Sequence, residues 1–337
     1  MNAIPLIRAA ALSPYLETLA SLGAPLEPFL TKVRLPPPQE LDPNVLVPYQ
    51  QVLDFLAASG RATGIGELPA LAARRSGIDH LGSWGQLLGR TKTLGDLLRT
   101  TVDSSWMHTN GARWWLADSG SDVVLCQQFD RRLDLGRGEV LVALLGYALG
   151  SVRRVVGAAF TPSEITATRP LPLPTGCLGL ERSVRVTGVT SIRIPRRLLG
   201  TPTPYLRGLA AETERGFAID LAASAPADDF LGSVRQALAP LAGSSQMQIG
   251  TLSDITRIPV RTLQRRLADA GTSFSAVTQE IRFARAVRRM SDPSVKLIDV
   301  AFEVGFSDPA HFTRAFRRWA GVSPRAFRRA CGAAPAS

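Results

Sequence analysis

At 337 residues and 45% hydrophobic content, the chain is long enough for two or three folded units with cores of their own. Its net charge of +11 is unevenly spread: residues 229–337 hold 16 Lys/Arg against 8 Asp/Glu, and residues 1–228 hold 23 against 20. The three scattered cysteines, Cys126, Cys177 and Cys331, exclude a disulfide framework or a CxxC site and point to a reducing compartment.

A taste for arginine over lysine explains part of this charge but not its localisation, which suits a polyanion-binding module joined to a nearly neutral one. The apolar N-terminus carries Pro5, Arg8 and Pro14 and lacks the basic start and long apolar run of a signal peptide. The longest apolar run, residues 140–149, is too short to span a bilayer. A cytoplasmic protein with no membrane partner is expected.

In chain order, residues 13–22 predict a short amphipathic helix capped by Ser13, with Pro14 at its first position. The proline-rich residues 35–48 read as an extended strap, and residues 49–59 as a helix with Val52, Leu53, Phe55 and Leu56 apolar. A further helix over 93–105 has Thr93 as N-cap and Asp96 three positions on. Residues 112–116 and 123–129 predict two strands around the turn ADSGSD, a hairpin. A mostly apolar helix follows over 138–154. Strands are then expected at 155–160, 184–189 and 191–194, and short helices over 195–199 and 204–217. The first 220 residues therefore read as an α+β domain. The small, polar, proline-containing AASAPADD marks a linker, after which Asp229 caps a helix over 230–241. The expected boundaries are 1–222, 223–229 and 230–337.

One pattern then occurs twice. The first copy reads IGTLSDITRIPVRTLQRRLADAG and the second LIDVAFEVGFSDPAHFTRAFRRWAG. Ile249 matches Leu297, Leu252 matches Val300, Ser253 matches Ala301, Ile258 matches Phe306, Leu263 matches Phe312, Arg265 matches Arg314 and Leu267 matches Phe316. The second copy needs about one extra residue in its turn. Each copy is a short apolar helix, a turn, and a second helix loaded with arginine, with a small residue where the two helices approach. This is helix-turn-helix grammar, in which the second helix enters the major groove of double-stranded DNA. A long helix over 274–290, with Val277, Ile281, Ala284 and Val287 on one face, would act as a strut between the copies.

The run GFSDPAHFTRAFRRWAGVSPRAFR, with TLQRRLADAG upstream, resembles the DNA-binding domain of the AraC/XylS family of bacterial transcription regulators over about the last hundred residues. LLGRTKTLGDLLRT and VTGVTSIRIPRRLLGTPTP resemble, more loosely, the effector-binding half of the ornithine-utilisation-regulator type within that family. The resemblance implies an α+β N-terminal sensor domain and an all-α C-terminal domain with two helix-turn-helix motifs joined by a long helix. It further implies a small-molecule effector, a homodimer on paired sites, and activation through RNA polymerase.

With Leu263 and Leu267 facing the core, Arg261, Gln264 and Arg265 point outward, and arginine and glutamine match guanine and adenine edges respectively. The resemblance places base contacts at the same positions. Phe312 and Phe316 likewise leave Ala310, His311 and Arg314 exposed as base-contact candidates. Arg266, Arg317, Arg318, Arg325 and Arg328 read as phosphate contacts, with Ser323 and Pro324 starting a last helix. The turn glycine of the second copy, Gly305, is Arg257 in the first. A positive φ is costly for arginine, so the first turn is expected to differ slightly in angle. Pro259 stands where Ser307 supplies a helix cap in the second copy.

In the first domain Trp84, Trp106, His108 and Trp114 are candidates for lining an effector pocket, although aromatics in such a domain more often fill a core. No nucleophile elbow, P-loop, dinucleotide fingerprint, carboxylate pair or metal-ligand spacing is present, so no enzyme activity, cofactor or metal is expected. The alternative is a DNA-binding regulator whose first domain only dimerises or meets a protein partner.

Overall fold

The structure, a computed structural model, describes residues 3–62, 68–136, 138–171, 184–204, 211–244 and 246–332. It divides into an N-terminal unit, Pro5–Asp228, and a C-terminal unit, Asp229–Ser337, to which Met1–Ile4 also belong. Cys177 and the first part of the helix expected over 204–217 lie outside the described residues.

The N-terminal unit opens with strand β1 (Leu6–Arg8), a 3-10 turn (Ala9–Leu12), and helices α1 (Ser13–Ser21) and α2 (Glu27–Lys32). Ser13 is not a cap: the 3-10 turn runs directly into α1, so Ser13 is already helical and Leu12 holds the cap position with no side-chain bond. The proline-rich strap ends in β2 (Leu46–Pro48), which pairs antiparallel with β1, Ile7 opposite Val47. Helices α3 (Tyr49–Ala62), α4 (Leu68–Arg75), α5 (Gly82–Leu88) and α6 (Leu94–Ser104) follow. Thr93 and Asp96 form the expected capping box on α6, each side chain accepting from the other's backbone N–H.

The hairpin of β3 (Ala112–Ser119) and β4 (Asp122–Phe129) is longer than its apolar alternation alone predicts. The long helix α7 (Glu139–Val156) absorbs Val155 and Val156, so no strand forms there; Gly157, at φ 105°, ends it. The strand that sequence reading misses is β5 (Ile165–Ala167), three residues that owe their conformation to pairing. With β6 (Val184–Val186) and β7 (Thr190–Pro195) it completes a five-stranded sheet in the order β3-β4-β7-β5-β6, antiparallel except between β5 and β6. Helix α8 (Ala211–Ala223) closes the unit.

Two glycines set how α7 meets α4. A β-carbon on Gly146 would lie 2.4 Å from Ala73 Cβ, and one on Gly150 would lie 1.8 Å from the Ser76 carbonyl oxygen. These positions are one turn apart, so α4 lies directly against the backbone of α7. Of the buried residues of α7, Val140 and Leu141 share a core with Phe129 and Ala167 of the sheet, and Leu145, Leu149 and Val152 share one with Leu125, Ile165, Ile192 and Ile194.

One arginine is fully buried here. Arg8 is 1% exposed, and its guanidinium donates to the carbonyls of Met107 (2.9 Å), Asn44 (2.8 Å), Leu221 (3.1 Å) and Ser224 (3.2 Å). It thereby fastens the C-terminal end of α8, just before the linker, to the turn that follows α6.

Among its described residues the C-terminal unit is built of helices and turns, without strands: α9 (Phe230–Leu238), α10 (Ile249–Thr256), α11 (Val260–Asp269), α12 (Phe274–Met290), α13 (Leu297–Glu303), α14 (Pro309–Ala320) and α15 (Pro324–Gly332). Asp229 caps α9 by accepting from the Gly232 N–H at 2.8 Å, and Ser273 caps α12. Within the same unit the Ile4 N–H donates to Ser233 Oγ at 2.8 Å. No helix among the described residues is long and apolar enough to cross a membrane.

Candidate nucleic-acid interface and ligand cavity

The two helix pairs α10/α11 and α13/α14 are built alike. In the first, Leu252, Ile255, Leu263 and Leu267 are buried; in the second, Val300, Ala301, Val304, Phe312 and Phe316 are. The second core is aromatic. Phe316 has Phe283, Phe327, Phe312 and Trp319 around it at ring-centroid distances of 5.3, 5.4, 5.7 and 6.4 Å. Edge-to-face and tilted contacts of this kind hold rings more specifically than aliphatic packing does.

The first turn does not avoid the left-handed region. Arg257 has φ 57° and ψ 24°, and the matching Gly305 has φ 86°. Both turns therefore place this residue in the left-handed region, at φ values that differ by 29°, and in the first the conformation is imposed on a residue that bears a β-carbon. The cap of α14 is Asp308, not Ser307: its carboxylate accepts from the Ala310 N–H at 2.8 Å. That bond, reinforced by His311 and Arg314 against the cost of burial, holds the Asp308 carboxyl below its usual range. The extra turn residue of the second copy places Asp308 one position later than the serine in the motif. Pro259 caps α11 through backbone geometry alone.

With both cores filled, Arg261, Gln264 and Arg265 are exposed on α11, and Ala310, His311 and Arg314 are exposed on α14. Arg317, Arg318 and Arg325 are exposed as well. Two expected phosphate contacts sit differently. Arg266 is half-buried with its guanidinium 5.4 Å from the centre of the Phe230 ring. Arg328 is half-buried and donates from Nη1 to the Val295 carbonyl at 2.7 Å, which ties α15 to the loop ahead of α13.

The strut α12 packs against α9 and against α13 of the second copy. Val277 is fully buried near its start, and Phe283, Ala286 and Met290 enter the second core near its end. Ala284 is exposed and does not share the buried face expected of it. Arg289 forms a two-point ion pair with Glu303 of α13, Arg285 donates to the Ala242 carbonyl, and Arg282 lies 5.6 Å from the Phe306 ring. Sequence reading did not assign these three arginines. Their spacing is that of an ordinary charged helix face, and only the neighbours show that they brace the motifs.

The N-terminal unit contains an apolar cavity with about 90 Å³ of room for the centre of a water-sized sphere. Trp84, His108 and Trp114 line it; Trp106 does not, because the 3-10 turn after α6 leaves its ring 50% exposed. Much of the wall comes from residues with no sequence signal, including Ile7, Ala143 and Tyr147. Trp84 stacks on His108 at 4.6 Å and 15°, and its indole N–H donates to Ser104 Oγ at 2.8 Å. The His108 Nδ1 is buried without a partner. Burial, helped by the nearby Arg8 charge, pushes the imidazole down to about 3, so the ring is neutral at ordinary pH. Burial also pushes the Cys126 thiol up, which disfavours the reactive thiolate.

Two family models match the chain. A helix-turn-helix domain matches residues 252–330, and the N-terminal arabinose-binding domain of AraC transcription regulators matches residues 23–175. The chain belongs to the AraC/XylS family. This AraC-family regulator is 26% identical to the HTH-type transcriptional regulator VirS of Mycobacterium tuberculosis across 96% of each chain. It is 34% identical over 70 residues, 21% of each chain, to the ornithine utilization regulator of Pseudomonas aeruginosa. To the HTH-type transcriptional activator RhaS of Pectobacterium carotovorum it is 31% identical over 104 residues, 29% of this chain and 37% of that one. Among solved structures, the transcriptional regulator CdpR of Pseudomonas aeruginosa aligns over 95% of this chain and 98% of that one, at 20% identity and a TM-score of 0.41. The family members and domains that match are regulators of transcription, and the helix pairs described above are their DNA-binding half.

Proposed function

We propose that this DNA-binding transcription regulator is an effector-controlled activator that works as a homodimer and engages RNA polymerase at its promoters. The observation that carries the reading is the pairing, in one chain, of two exposed recognition helices with an apolar, aromatic-lined cavity in the N-terminal unit. Arg261, Gln264 and Arg265 read bases in one major groove, and Ala310, His311 and Arg314 read bases in the next. Arg317, Arg318 and Arg325 hold phosphates. The sign of regulation is supported by the similarity to RhaS, a protein named as an activator.

The test is selection of genomic fragments by the full-length protein, followed by transcription from the selected promoters. The expected result is a site with two conserved blocks about one helical turn apart. Arg265→Ala and Arg314→Ala should each weaken binding by roughly 1–3 kcal/mol and relax the preference at one base position. Equal weakening for every DNA sequence would show these arginines to be phosphate contacts. Transcription that never responds to any molecule bound by the N-terminal unit would favour a domain that only dimerises.

A further inference from the structure

We propose that the cavity of the N-terminal unit takes an uncharged, predominantly apolar molecule carrying one hydrogen-bonding group, which docks against His108. This rests on the effector reading above and narrows the effector to a chemical class.

The walls carry no charge: none of the lining residues is Lys, Arg, Asp or Glu. Most of the polar side chains among them are already committed to the protein. Tyr147 donates its hydroxyl to the Ala11 carbonyl (3.2 Å), Ser151 to the Tyr147 carbonyl (2.6 Å), Thr101 to the Leu97 carbonyl (2.8 Å) and Thr109 to the Leu6 carbonyl (2.7 Å). Against this dry lining His108 stands out, a ring 94% buried with an unpartnered Nδ1. An unmet buried polar atom is costly, so a ligand that supplies its partner gains more than the bond would yield in water.

The same geometry argues against other classes. A sugar brings hydroxyls all around its ring, and in an apolar lining most would lose their water without replacement. An amino acid brings two or more charges that need partners inside the cavity. A carboxylate would have to find a cation. The nearest candidate, Arg8, is not among the lining residues and already donates to four carbonyls. A neutral ketone, alcohol or ester on an alkyl or aromatic body fits what remains, an apolar volume with the unpartnered Nδ1 of the lining residue His108.

The experiment titrates the full-length protein with 2-nonanone, 1-nonanol, sodium nonanoate, L-arabinose and L-ornithine, by calorimetry and by tryptophan fluorescence. Trp84 and Trp114 line the cavity and report on occupancy. Saturable binding of the ketone and alcohol is expected, with nonanoate at least tenfold weaker and no binding of the sugar or the amino acid. His108→Phe keeps the stack on Trp84 and removes the ring nitrogens; it should weaken 2-nonanone about fivefold to tenfold, the loss of one hydrogen bond. Ala143→Leu, a smaller intrusion on the cavity than an aromatic, should weaken all bound compounds together. Failure of both neutral compounds to bind the unmodified protein overturns the proposal, as does tighter binding of nonanoate, arabinose or ornithine. Those last outcomes leave effector control standing with a different ligand. Neutral compounds that bind but leave DNA binding and transcription unchanged support the ligand class and overturn the effector reading.

Discussion

Arg8→Met is the substitution that most directly tests how the N-terminal unit is held together. Methionine keeps the length and the apolar stem but removes every donor. The carbonyls of Met107, Asn44, Leu221 and Ser224 would then face a thioether. Each buried acceptor left unmet costs about 1–3 kcal/mol. The loss is partly offset because the variant no longer buries a charge, and burial disfavours this one, holding the guanidinium below its ordinary range. A net destabilisation of about 3 kcal/mol follows. Urea unfolding monitored by tryptophan emission suits the question, since Trp84, Trp106, Trp114 and Trp115 all lie in this unit and Trp319 alone lies in the other. With a denaturant slope of about 2–3 kcal/mol/M, the midpoint should fall by about 1 M. A shift worth less than about 1 kcal/mol would mean that the hydrogen bonds only balance the desolvation, and that Arg8 does not fasten α8.

His108 should make stability depend on pH. Its folded value of about 3 lies below the ordinary 6.5, so between those values the unfolded chain binds the extra proton. Stability contributed by this group is therefore fully present above about pH 6.5 and falls as the pH drops toward 3, by up to about 4–5 kcal/mol. His108→Phe should flatten that part of a urea-midpoint profile, and an unchanged profile would mean that the ring already binds a proton in the folded state. Gly150→Ala should destabilise the N-terminal unit by about 1–3 kcal/mol, because the new methyl group meets the Ser76 carbonyl. Gly216→Ala, where nothing lies within 4 Å, should instead stabilise α8 by up to about 1 kcal/mol; equal effects in thermal melts would refute the close-approach argument. Arg325→Ala should lower the slope of log K against log salt for DNA binding by about 1. Arg328→Ala should leave that slope alone and lower the melting temperature, since its half-buried guanidinium donates from Nη1 to the Val295 carbonyl. The reverse pattern in anisotropy titrations would exchange the two roles.

The helix-turn-helix copies were legible because each lives within about 25 residues and every signal in them is local. Leu263 and Leu267, or Phe312 and Phe316, fix the inner face by spacing, and the arginines then have one side left. The capping box at Thr93 and the cap at Asp229 were legible for the same reason. What could not be read depends on distant partners. Ile165–Ala167 is a strand because β6 and β7 flank it, and Val155 and Val156 stay helical as the end of a helix whose Gly146 and Gly150 accept α4. The cavity was half legible. Trp84, His108 and Trp114 carry an aromatic signal, but Ile7, Ala143 and Tyr147 reach the same wall from segments far apart in the chain. Trp106 shares the local signal and is turned out by one 3-10 turn. Arg8 gave no hint beyond interrupting an apolar stretch.

The chain passes between its two units at Ile4/Pro5 and at Asp228/Asp229, and one side chain touches both approaches within the N-terminal unit. Asn110 accepts from the Leu6 N–H at 2.6 Å and donates to the Ala227 carbonyl at 2.9 Å. Two residues earlier, His108 lines the cavity, and Thr109 between them donates to the Leu6 carbonyl. A ligand pressing on His108 would therefore act on a turn whose next residues hold both exits of the chain. Moving a two-state equilibrium from 1:99 to 99:1 needs about 5.5 kcal/mol of differential binding. Hydrogen bonds worth about 1 kcal/mol each make such a turn a partial contributor, so its loss should reduce coupling rather than abolish it. Asn110→Ala tests this, because Asn110 does not itself line the cavity. Ligand affinity should stay within about threefold, while the ligand-induced change in DNA affinity falls about fivefold to tenfold. Equal loss of ligand affinity would place Asn110 in the binding site. Full coupling in the variant would mean that the signal leaves the cavity by another path, such as the Arg8 bonds to Leu221 and Ser224.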